Sequence, residues 1–238
     1  MKSISSFRCF RSFPLSAGLL LFPALAPAAT LVPSLADGEV RSNGTFETSS
    51  YQSRVGEYFF PGGVSFVLPF QLPTLPVGES FATANLRFQL FGKTEVVPPN
   101  VGVDLYGLGR RSSDVLLASD YYSGTLDLGS TLLKDDLVTP STALGVMDTD
   151  NLTDAALVNY LNAQYAGGAG AGQYVFLRFS YADDFPDQDM AYYFLTQDAG
   201  GATERPEFTY TTTAVPEART LALIAGAIGM AMILRKRG

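Results

Sequence analysis

Four carboxylates crowd seven residues of this chain, Asp183, Asp184, Asp187 and Asp189. Oxygen donors at that density are what Ca2+ takes, with about six to eight ligands per ion. The spacing lacks the alternating acidic positions, central glycine and closing glutamate of an EF-hand. Two readings therefore stand side by side: a calcium loop, and a solvated acidic loop between two strands. Asp148, Asp150, Asn151 and Asp154 form a second oxygen-rich group. It falls where a helix should begin, and Asp and Asn favour helix N-caps and turns. Capping is the better account there, and metal binding the lesser one.

Aromatic rings offer a different chemistry. Tyr121-Tyr122 and Tyr192-Tyr193 can stack on sugar rings. Neighbours on a strand point to opposite faces, so one ring of each pair is expected in the core. Glycoside hydrolysis would need two carboxylates roughly 5–10 Å apart. With 23 Asp and Glu in the chain some pair always qualifies, and no motif singles one out. Histidine is absent, which removes the Ser-His-Asp triad, the Cys-His pair, His-ligated zinc and the two-His-one-carboxylate iron site. Carboxylates, hydroxyls, amides and phenols remain, and no catalysis is expected. Arg110-Arg111 reads as a small basic spot on a solvated loop.

The elements that must position these groups are mostly strands. Gly, Pro, Thr, Tyr, Phe and Val are plentiful and Lys is scarce. Residues 57–68 read as two strand pieces around Pro61-Gly62-Gly63. Residues 66–72 are apolar but hold Pro69, which suits an edge strand or a strand end. Residues 84–91 alternate, with Leu86, Phe88 and Leu90 on one face and Arg87 and Gln89 on the other. Residues 102–108 place Val103 and Leu105 inward, and 114–117 read as a short strand piece. Residues 153–165 carry a helical stripe of Ala156, Leu157, Tyr160, Leu161 and Gln164, ended by Gly167-Gly168. Residues 174–181 are apolar on both faces apart from Arg178 and Ser180, as a central strand would be; 191–196 and 207–212 follow. Strands with one short helix, no βαβ rhythm and no repeat point to a single mainly β domain, a two-sheet sandwich of jelly-roll-like layout.

Both ends read as addresses. Lys2, Arg8 and Arg11 precede an apolar run over residues 13–26, and Ala26-Pro27-Ala28 fits a signal-peptidase site. Residues 1–28 are therefore expected to be a cleaved secretory signal. At the other end Val215-Pro216-Glu217 precedes an apolar stretch, 220–234, and then Arg235-Lys236-Arg237. As a helix that stretch spans roughly 22 Å, short for a hydrocarbon core of about 30 Å, so a weak transmembrane anchor is expected. The basic cluster would stay cytoplasmic. Between the two, residues 29–214 hold 9 basic and 22 acidic residues, a net charge of −13. Such a domain repels phosphate backbones, so nucleic acid is not an expected partner. Cys9, the single cysteine, lies in the leader, so residues 29–214 hold no disulfide and depend on a packed core.

The tripartite C-terminus of residues 215–238 resembles the PEP-CTERM sorting signal of Gram-negative bacteria. Val215, Pro216, Glu217, Arg235, Lys236 and Arg237 carry the likeness, with Ala218 where many members have a second proline. The resemblance implies sorting and cleavage by a membrane-embedded peptidase of the exosortase type, and association with exopolysaccharide. A looser resemblance covers residues 152–212. A helix, Tyr174-Val175-Phe176-Leu177-Arg178, an acidic loop, Tyr193-Phe194 and Pro206-Glu207-Phe208-Thr209-Tyr210 are similar to the end of DNRLRE-type secreted jelly-roll modules. The expectation is an exported protein, inner-membrane-anchored as a precursor. Its mature form would be structural or adhesive at the cell surface or in the matrix. A calcium-dependent glycan-binding module is the alternative, and a glycan hydrolase ranks behind it.

Overall fold

Alternation of large apolar and polar side chains turns most of these runs into strands. The computed structural model describes residues 27–56, 62–94, 102–121, 129–165, 172–181 and 190–215. Within them lie β1 (Ala29–Leu31), β2 (Gly38–Arg41), β3 (Phe46–Glu47), β4 (Gln52–Gly56), β5 (Val64–Gln71) and β6 (Glu79–Thr94). Then come β7 (Val103–Arg111), β8 (Thr131–Val138), β9 (Gly145–Asp148), the helix α1 (Asn151–Tyr165), β10 (Tyr174–Tyr181), β11 (Ala191–Leu195) and β12 (Glu207–Ala214). Hydrogen bonds link the strands in the order β1-β12-β6-β11-β4-β5-β10-β7-β8, with β2 beside β5, β3 beside β2 and β9 beside β6. Every one of these pairings is antiparallel. The fold is mainly β, a curled antiparallel sheet carrying one α-helix among the described residues.

The long strand β6 makes the curl possible. Its 16 residues pair with β12 over Glu79–Arg87, with β9 over Arg87–Leu90 and with β11 over Leu90–Thr94. Leu86, Phe88 and Leu90 point into the core, as the alternation predicts. There Phe66, Phe88, Phe179 and Phe194, one from each of four strands, pack ring to ring. Ring centroids are 5.0 Å apart for Phe179–Phe194, 5.2 Å for Phe88–Phe179 and 5.6 Å for Phe66–Phe179. Such pairs add about 0.5–1.5 kcal/mol each beyond simple burial.

The helix lies on β6 and buries Leu157, Tyr160 and Leu161. Asp150 caps it: one carboxylate oxygen accepts from the Thr153 N–H at 2.8 Å and from the Thr153 hydroxyl at 2.6 Å. Those bonds, with Lys134 beyond, hold the Asp150 carboxyl at about 2. Capping thus accounts for Asp150, while Asp154 accepts from the Asn85 amide on β6 at 3.2 Å. Gly107 is required beneath the helix, because a Cβ there would overlap the Tyr160 ring. The Tyr160 hydroxyl then accepts from the Gly109 N–H at 2.8 Å, and burial pushes it above its ordinary range.

The opposite face of β10 carries a polar residue that a strand core rarely tolerates. Arg178 is fully buried, its guanidinium 4.8 Å from the Tyr106 ring centroid. It donates to the Ser180 hydroxyl at 3.1 Å and to the Asp120 carbonyl at 3.3 Å. Residues 112–121 cross this face, with Leu116 packed against Val40, Val67 and Phe176.

Some expectations need correction. Residues 114–117 are not a strand; they lead into a 3-10 turn at Ala118–Asp120, whose Asp120 carboxylate accepts from the Leu117 N–H at 2.8 Å. Arg110 and Arg111 end β7 rather than sit on a solvated loop. Arg110 donates to the Gln164 carbonyl, while Arg111 pairs with Asp120 and lies 4.0 Å over the Phe176 ring. The strand holding Pro69 is not an edge strand, since β5 runs between β10 and β2, but Pro69 lies near its end, beyond the last β2 pairing at Val67, as the strand-end alternative has it. The Pro69 carbonyl accepts from Ser34 N at 2.8 Å. In a strand the N–H and C=O of one residue share a side, so the missing N–H faces the Ser34 connection, past the end of β2, and the β10 ladder stays whole.

Replacing Phe179 by Ala removes the ring that touches three other phenylalanines. The expected loss is about 3–5 kcal/mol, read as a shift in the urea midpoint at unchanged slope.

Candidate functional site

Where β2, β3, β4 and β11 come together, the surface sinks into a hollow of about 600 Å3. Strand alternation decides what lines it. On β11, Tyr192 and Phe194 enter the core, so Tyr193 faces the other way. On β4, Ser53 and Val55 are buried, so Gln52 and Arg54 face outward, and Arg54 is the register partner of Tyr193. Glu39 of β2 and Glu47 of β3 are also register partners, and both line the hollow.

Glu39 organises the floor. It is 4% exposed and takes both arginines. One oxygen accepts from Arg54 Nε at 2.9 Å and Arg54 N at 3.0 Å; the other accepts from Arg54 Nη2 at 3.0 Å and Arg41 Nη2 at 3.1 Å. Glu39 in turn raises the Arg54 guanidinium above its ordinary range. Glu47 lies at the rim and accepts from the Ser49 hydroxyl at 2.8 Å and the Ser49 N–H at 3.2 Å, which hold its carboxyl below the usual glutamate range. The walls are aromatic. Tyr51 is 55% exposed and meets exposed Phe91 edge-on, ring centroids 6.4 Å apart. The Tyr193 ring packs on Gly92, its register partner on β6.

Gly38 sets how closely β2 approaches this rim. A Cβ there would overlap the Glu47 carbonyl oxygen and crowd the Thr48 backbone. Next to it Asp37 is buried, with one carboxylate oxygen accepting from Gln197 N at 2.9 Å and the other without a partner among the described residues. Burial pushes its carboxyl up to about 7; the Gln197 N–H opposes this and nearby Asp198 adds to it. Asp104, on β7, is raised to about 6 by burial, against bonds from Asp136 N at 2.8 Å and the Tyr106 hydroxyl at 3.2 Å.

The residues expected from sequence are dispersed. Tyr193 is in the hollow, but Tyr192 is fully buried, 6.2 Å from the Tyr181 ring centroid, and presents no face to a sugar. That assignment is corrected: the strand turns this ring into the core. Tyr121 is half-buried against the cluster around Phe176, away from the hollow, and Tyr122 lies outside the described residues. Asp183, Asp184, Asp187 and Asp189 also lie outside them, as do Pro216, Glu217, Arg235, Lys236 and Arg237. Val215 is half exposed and its N–H donates to the Gly78 carbonyl at 2.6 Å. Among the described residues no group of acidic, His or Cys side chains is arranged to hold a metal, and no helix is long and apolar enough to cross a membrane. The sequence reading missed Glu39, Arg41, Arg54 and Tyr51. The exposed tyrosine after Ser49-Ser50 was the one local sign.

Two predictions follow from this geometry. Gly38→Ala should cost about 1–3 kcal/mol in chemical denaturation, because backbone atoms must move to admit the methyl. The second concerns pH. Between the ordinary aspartate value of 3.8 and about 7, the folded chain keeps a proton on Asp37 that the unfolded chain releases. Stability therefore falls as pH rises through that window, and Asp104 acts in the same direction up to about 6. Asp150 acts oppositely, its contribution fading as pH drops from 3.8 towards about 2. Melting temperature should peak on the acidic side of neutrality. Asp37→Asn should flatten the decline towards pH 7, and an unchanged slope in that variant would rule Asp37 out as its source.

No protein-family model matches the chain, and comparison with curated proteins finds no match.

Proposed function

We propose that this is an exported, non-catalytic protein of the bacterial cell surface or extracellular matrix, which holds exopolysaccharide in the hollow around Glu39, Arg54 and Tyr193. The curled sheet is read as a jelly-roll-like β-sandwich occupying residues 29–214. The C-terminal 215–238 segment is read as a PEP-CTERM-like sorting signal, processed by an exosortase-type peptidase after signal peptidase has removed residues 1–28.

The observation that carries the glycan reading is the lining of the hollow. Exposed Tyr51 and half-buried Tyr193 stand over a floor of fixed polar groups, Glu39, Arg41 and Arg54. Sugar recognition uses that combination: ring faces for the C–H surface and oriented donors and acceptors for the hydroxyls. Hydrolysis fits less well. Glu39 and Glu47 stand opposite each other, but both oxygens of Glu39 are filled by arginine donors. Glu47 is held below the usual range, so its carboxyl is not set up to donate a proton near neutrality. Export is supported at the fold's margin, where Pro27 and Ala28 are exposed coil and β1 begins at Ala29. Cleavage after Ala28 would leave every described strand intact.

The test is the intact mass of the protein recovered from its host, cell-bound and secreted fractions separately. The expected mass lacks residues 1–28 and those beyond about 217. A mass that retains 221–238 in both fractions would sink the sorting-signal reading and the matrix role that depends on it.

A further inference from the structure

The hollow's charges say which glycans it would take. Resting on the glycan-binding reading above, we infer that the site binds an uncharged polysaccharide and turns away uronic-acid chains. The two cations in it are committed. Arg41 and Arg54 both direct N–H groups onto Glu39, which is buried between them. A uronate carboxylate would meet guanidiniums whose charge Glu39 already neutralises, and could take their Nε and Nη2 edges only by displacing it. Displacing Glu39 would leave a buried, unpaired charge, among the most expensive outcomes in a folded protein. Glu47 at the rim is a second fixed negative charge, kept ionised by Ser49. The two arginines and two glutamates lining the hollow cancel. Beyond it, residues 29–214 carry a net −13, a field that repels any polyanion over the roughly 8 Å of physiological screening.

A neutral sugar meets none of these penalties. Its hydroxyls can donate to Glu47 at the rim, and Ser50 and Gln52 also line the hollow. Its C–H face can lie on Tyr51 or Tyr193. The volume, about 600 Å3, is within the range of about 300–1,000 Å3 usual for ligand sites.

The experiment is affinity electrophoresis of the protein in its exported form through gels holding soluble neutral chains (dextran, galactan, mannan) or uronates (alginate, polygalacturonate), at low and high salt. Retardation by a neutral chain, insensitive to salt and weakened about tenfold in Tyr193→Ala, with Tyr193→Phe close to the parent, is the expected result. Should Tyr193→Ala fail to fold, Tyr51→Ala makes the same test at an exposed position. Salt-sensitive retardation by a uronate with none by neutral chains overturns this inference and leaves glycan binding standing. Retardation by neither class overturns both.

Discussion

Four phenylalanines decide what the surface of this protein can do. Phe66, Phe88, Phe179 and Phe194 come from β5, β6, β10 and β11, two pairs of consecutive strands that lie far apart in sequence. A strand that buries one ring must send its neighbours to the opposite face. Once Phe194 is in the core, Tyr193 cannot be, and the register that pairs Tyr193 with Arg54 places the guanidinium beside it. A one-residue slip of β11 would bury Tyr193 and expose Phe194, so core and site are specified together. With no disulfide within residues 29–214, this packing has to hold the register unaided.

A second constraint acts at the floor of the hollow. Burying a carboxylate alone costs several kcal/mol, so Glu39 is tolerable only because both arginines reach it. That makes the network rigid: each guanidinium is fixed in orientation by the carboxylate it neutralises. Rigid, self-neutralised donors suit recognition of hydroxyls and do not suit proton transfer, which needs a carboxyl free to change state. Arg178 follows the same logic on the opposite face of β10, satisfied by Ser180, the Asp120 carbonyl and the Tyr106 ring. Asp37 is the exception, since one of its oxygens has no partner among the described residues and its carboxyl holds a proton to about 7.

What was legible in the sequence follows from how local the determining contacts are. The central alternation of β6, the apolar run of β10 and the stripe of α1 report burial directly, and each appears where the pattern placed it. The cap by Asp150 was legible too, because its partner is three residues away. Residues 38–56 were not. Their strands are short and rich in Ser, Thr, Glu and Arg, and they form because β5 and β11 offer edges to pair with. The hollow was therefore only partly visible: Tyr193 could be picked as one of an alternating pair. Glu39 and Arg54 meet across 15 residues, and both lie far in sequence from β11. The Arg110-Arg111 pair misled for a related reason, since neighbours from other elements determine whether an arginine is covered.

The length of β6 bears on how such a module would work when tethered. Ala214, the last residue of β12, is paired with Glu79 at the start of β6, and Val215 bonds to Gly78 beside it. Tyr193 is paired with Gly92, close to the other end of the same strand. Thirteen residues of strand separate the two points, up to roughly 40 Å at about 3.3 Å per residue, less whatever the curl takes back. β1 pairs with Phe208–Tyr210 on the other side of β12. An attachment made through the C-terminal segment would hold the start of β6 near the membrane and leave the far end of β6, with the hollow, directed away from it. The exit of the chain towards residue 216 and the hollow thus lie towards opposite ends of β6.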